Sequence, residues 1–96
     1  MTTQRDQIID RLKHDKAFLH GVGVRRIGLF GSAVRGDDRE DSDLDFVVEF
    51  EKASFDGYMD LKFHLEDLFL KKVDLVLTHC IKPALRQRIL SEVVYA

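Results

Sequence analysis

Asp43 and Asp45 stand one residue apart in "DSDLDFVVEF", and ten residues separate Asp43 from the pair Gly31-Ser32 in "GLFGSAVRG". On a strand, residues two apart point the same way and lie about 7 Å apart along the backbone. Two carboxylates so placed repel each other unless a cation sits between them. A third acid, Asp74 in "KVDLVL", could join the same face from a neighbouring strand. Three carboxylates make a hard, all-oxygen donor set that suits Mg²⁺ or Mn²⁺, with further positions left for water and phosphate oxygens. Gly31 follows an apolar run, where a glycine lets the backbone turn sharply and approach a ligand closely. Ser32 adds a hydroxyl, and the N–H groups that open the next turn are anion donors. The pattern therefore reads as a phosphate cradle facing a metal-binding acid pair.

These residues need elements to hold them. Ile8, Ile9, Leu12 and Leu19 predict a helix over 3–20, capped by Thr2 or Thr3. "VRRIGLF" (24–30) reads as a strand, "GSAVRG" as a turn with one turn of helix, and "DDRED" as a polar loop. A second strand over 43–50 would set Leu44, Phe46, Val48 and Phe50 on one face. Asp43, Asp45, Val47 and Glu49 would take the other. Tyr58, Leu61, Leu65, Leu68 and Phe69 predict a helix over 54–70, followed by a strand over 72–77. Pro83 opens a last helix carrying Leu85, Ile89 and Val93. Strand, long helix and strand read as a crossover unit with parallel strands. The class is α/β: a small mixed sheet flanked by helices, in one domain spanning 1–96.

The composition bounds the function. Ninety-six residues suffice for one core, and 45% hydrophobic with 33% charged residues is ordinary for a globular protein. A net charge of −2 gives no general attraction to nucleic acid or anionic membrane. The lone Cys80 excludes an internal disulfide and fits a reducing compartment. Neither a signal peptide nor a membrane span is visible, so a cytoplasmic protein is expected.

Other readings of the same residues fail. "DLDFV" imitates the nucleophile motif of haloacid-dehalogenase-type phosphatases, but there the acids end an apolar strand, and here they begin one. Counted from Asp41, an EF-hand loop would need Gly and Glu where Phe46 and Lys52 stand. No P-loop motif is present. His79 and Cys80 lack companions for a zinc site, and "RQR" (86–88) reads as a solvated face.

"GSAVRGDDREDSDLD" resembles the signature of the polymerase-beta-like nucleotidyltransferases, Gly-Ser, ten residues, Asp-x-Asp. Within that superfamily the chain is similar to the minimal nucleotidyltransferases, the MNT or MntA-type antitoxins, through "GSAVRG", "SDLD" and "KVDLV". The resemblance implies that Asp43 and Asp45 are catalytic and bind two divalent ions, Mg²⁺ or alternatively Mn²⁺, and that Asp74 completes one of them. Gly31 and Ser32 would hold the outer phosphates of ATP. Arg35 would add positive charge there or brace the loop against an acid. AMP would pass from ATP to a hydroxyl, a tyrosine of a helical HEPN toxin, and the chain would act as the antitoxin of that hetero-oligomeric pair. Two alternatives stand beside this one. The chain could neutralise a partner by contact alone, or serve as the catalytic subunit of a two-chain small-molecule nucleotidyltransferase.

Overall fold

Leu44, Phe46 and Val48 alternate along strand β2 (Leu44–Phe50), and all three are buried. A strand with one wholly apolar face demands a cover, and the helices supply it. Ile8, Ile9 and Leu12 of α1 (Gln4–His14), Leu19 of α2 (Lys16–Gly21), and Leu61 and Leu65 of α4 (Phe55–Phe69) close over that face. Ile27 and Leu29 of β1 (Val24–Phe30) and Val73 and Leu75 of β3 (Val73–Leu77) complete the cluster. The structure, a computed structural model, describes residues 4–36, 43–52 and 54–96. The expected caps Thr2 and Thr3 and the polar loop over 37–41 lie outside them.

The sheet order is β3-β2-β1-β4. β2 and β3 run parallel, joined by α4, as the crossover pattern requires. β1 is antiparallel to both of its neighbours, so the sheet is mixed. Ser54 caps α4 by accepting the Gly57 N–H at 3.0 Å, and the Tyr58 hydroxyl donates to the Leu75 carbonyl at 3.0 Å. These bonds fix the helix over the edge of the sheet.

Three features depart from the sequence reading. The first helix breaks at Asp15, whose backbone leaves helical geometry between α1 and α2. The Asp15 carboxylate meets His64 Nε2 of α4 at 2.7 Å, and the His64 ring stacks on Phe18 at 3.8 Å. A contact between distant elements accompanies the break, and periodicity carries no sign of it. A short 3₁₀ turn (Thr78–Cys80) precedes the last helix, α5 (Pro83–Glu92). That helix ends one residue before Val93, and the chain turns extended into β4 (Val94–Tyr95). Two residues are too few for a strand pattern to be read from sequence.

Candidate active site

The face of the sheet turned away from α1, α2 and α4 carries the acids. Register places Asp45 of β2 between Phe30 at the end of β1 and Asp74 of β3. Asp43 precedes β2 by one residue and is exposed. Asp74 is exposed as well, and Asp45 is half-buried. The two-residue period of the strand puts Asp43 and Asp45 on one side, and the parallel pairing of β2 with β3 brings Asp74 alongside. All three predicted acids therefore share one corner, at the end of the sheet where β1 stops and β2 and β3 begin.

That corner is electrostatically strained. Burial pushes the Asp45 carboxyl above its ordinary range, and the negative charges of Asp74 and then Asp43 push it the same way. Arg35 opposes them, and Glu92 adds a further push upward. A half-buried carboxylate among like charges is a donor waiting for a cation. Among the described residues, no three His, Cys, Asp or Glu side chains stand close enough to form a ready-made metal cage. The three carboxylates share a face, as the strand pairing requires. Their chemistry still fits a hard divalent ion, because all are oxygen donors and mutual repulsion opposes their closer approach.

Gly31 is placed where its residue type is required. Its φ of 83° lies in the left-handed region, and a Cβ there would overlap the Asp45 carboxylate. The turn after β1 thus passes directly against the central acid. Ser32 opens the single helical turn α3 (Ser32–Arg35), which ends at Gly36 in left-handed geometry. Arg35 is exposed and reaches Glu92, with its Nη1 at 3.3 and 3.4 Å from the two carboxylate oxygens. This contact with Glu92 is one by which Arg35 could brace the loop. That acid was missed: Glu92 lies at the end of α5 and also accepts the Gly31 N–H at 2.9 Å. Fifty-seven and sixty-one positions separate it from Arg35 and Gly31, so no local spacing could have pointed to it.

Residues 6–96 match the family described as polymerase beta, nucleotidyltransferase. The chain belongs to that family. Within it, this nucleotidyltransferase is 43% identical over 83 residues to the protein adenylyltransferase MntA of Thermococcus cleftensis, covering 85% of this chain and 84% of that one. A solved minimal nucleotidyltransferase superposes with a TM-score of 0.80 at 33% identity, over 96% of this chain and 95% of the other. A chain from the solved complex of the tri-AMPylated Shewanella oneidensis HEPN toxin with its MNT antitoxin shares the fold. Its TM-score is 0.60 at 21% identity, over 88% of this chain and 69% of that one. The mixed α/β fold expected from the sequence is thus the fold of the minimal nucleotidyltransferases.

Proposed function

We propose that this nucleotidyltransferase is a protein adenylyltransferase: it moves AMP from ATP to a hydroxyl, a tyrosine of a helical HEPN partner, and thereby acts as that toxin's antitoxin. The observation that carries the proposal is the meeting of Asp43, Asp45 and Asp74 on one sheet face, with the Gly31 turn pressed against Asp45. Its setting would be a single domain over 1–96, and a relative 43% identical to the chain is named a protein adenylyltransferase. A reaction that consumes ATP would have the chain act in the cytoplasm. Among the described residues, no helix is long and apolar enough to cross a membrane.

The chemistry is an in-line displacement. The acceptor oxygen bonds to the α-phosphorus as the bond to pyrophosphate breaks, and the hydroxyl proton passes to water. Asp43 and Asp45 would hold two divalent ions, Mg²⁺ or Mn²⁺, and Asp74 would complete the ion nearer the acceptor. When bound, such ions lower the pKa of the attacking hydroxyl and neutralise charge on the leaving pyrophosphate. Gly31 and Ser32 would cradle the outer phosphates, because only a glycine lets the turn come so close to Asp45. Arg35, tied to Glu92, would add positive charge beside the cradle. Positioning and charge neutralisation then account for most of the rate enhancement, as in phosphoryl transfer generally.

The discriminating experiment uses an Asp43→Asn, Asp45→Asn double variant with the HEPN partner. Lost neutralisation with an intact complex supports catalysis. Retained neutralisation would make the chain an inhibitor by contact alone.

A further inference from the structure

We propose that Glu92 is a positioning residue for nucleotide binding: its carboxylate clamps both ends of the Gly31–Arg35 turn and so holds the phosphate cradle in register with Asp45. This inference rests on the adenylyltransferase reading and adds to it a residue outside the family's signature.

The clamp is visible in three contacts. Glu92 Oε1 accepts the Gly31 N–H at 2.9 Å, and Arg35 Nη1 donates to Oε1 at 3.3 Å and to Oε2 at 3.4 Å. One carboxylate thus joins the first residue of the turn to the last residue of α3, with Ser32 between them. β1 ends at Phe30, so the Gly31 N–H lies beyond its ladder, and Glu92 supplies the partner that a partly buried amide requires. The Glu92 side chain is only 21% exposed, which strengthens bonds to a charged acceptor.

The fold takes trouble to deliver this acid. Gly28 pairs with Tyr95, and Ala96 donates its N–H to the Ile27 carbonyl at 3.0 Å. A Cβ at Gly28 would overlap the Val93 and Tyr95 side chains, at 2.5 and 2.9 Å, so β4 can lie this close only against a glycine. Docking of β4 fixes the end of α5, and with it Glu92. A further negative charge near Asp45, added to those of Asp74 and Asp43, is costly next to an anionic substrate. Its retention is explained if the carboxylate's work is to hold the turn.

The test measures binding of a non-hydrolysable ATP analogue with Mg²⁺ by calorimetry for the wild type, Glu92→Ala and Glu92→Gln. Amide exchange at Gly31, followed by NMR, runs in parallel. Loss of the clamp in Glu92→Ala should weaken analogue binding about tenfold, the scale of one charge-assisted hydrogen bond. It should also speed Gly31 exchange while leaving kcat at saturating ATP within about threefold of wild type. Glutamine keeps an acceptor for the Gly31 N–H but loses the charge facing Arg35, so Glu92→Gln should bind about threefold more weakly than wild type. If the alanine variant does not fold, wild-type affinity in Glu92→Gln overturns the proposal. Unchanged affinity in both variants would overturn the proposal, as would tighter binding, which would make the carboxylate a competitor of the phosphates. A wild type that binds the analogue yet transfers no AMP sinks the adenylyltransferase reading, while the affinities still decide the role of Glu92. A wild type that binds no analogue overturns both.

Discussion

The two faces of the sheet obey opposite rules, although they share the same strands. On the helix-covered face, Leu44, Phe46, Val48, Ile27 and Leu29 are all buried and belong to one apolar cluster. On the other face, the same β2 presents Asp45 beside Asp74, with Asp43 just ahead of it and Glu92 close by. The first face maximises the stability of the isolated chain. The second sacrifices some of it, because a half-buried carboxylate among like charges is held against its preference for a proton. Alternation along a strand lets one chain do both, and local instability of this kind is characteristic of sites built to bind charge.

The comparison can be broken most severely on the acid face. Asp45→Asn should lower AMP transfer by about three orders of magnitude or more, the scale of removing a group that stabilises developing charge. Single-turnover assays with labelled ATP read this directly, and circular dichroism should report an unchanged fold. On the covered face the effects reverse. Phe46→Ala, at a side chain with no exposure, should cost about 3–5 kcal/mol in urea unfolding, through lost burial and the cavity left behind.

A subtler test asks whether the acid face truly costs stability. Asp45 binds its proton more tightly folded than unfolded, so the folded chain loses stability as pH rises through its raised folded pKa. Without metal, Asp45→Asn should therefore melt a few degrees higher than wild type at neutral pH. The difference should vanish in acid, below the ordinary carboxylate range, where both forms are neutral. A variant no more stable than wild type at neutral pH would contradict the idea of strain at this corner. The smallest effect on transfer belongs to the largely buried pair of Asp15 and His64. His64→Ala should cost about 1–2 kcal/mol by thermal melting, through the lost bond to Asp15 and the lost stack on Phe18, with no change in transfer.

Much of this was legible in the chain. Strand periodicity put Leu44, Phe46 and Val48 opposite Asp43 and Asp45, and the structure keeps that division. The β2-α4-β3 crossover followed from a helical repeat between two apolar runs, and it carried Asp74 to its place. What escaped has a common cause. The break at Asp15, the docking of β4 and the clamp of Glu92 all depend on contacts between residues far apart in sequence. Such contacts obey no local period. Gly28 shows the limit well, since its need for a missing side chain arises only when Val93 and Tyr95 arrive against it.

The most direct measurement follows intact masses of this chain and the HEPN protein proposed as its partner after incubation with ATP and Mg²⁺, alongside the Asp43→Asn, Asp45→Asn variant. A mass gain of whole AMP units on the partner, absent with the variant, is the expected result. An unmodified partner in a stable complex, or the same gain with the variant, would contradict an adenylyltransferase built on this acid face.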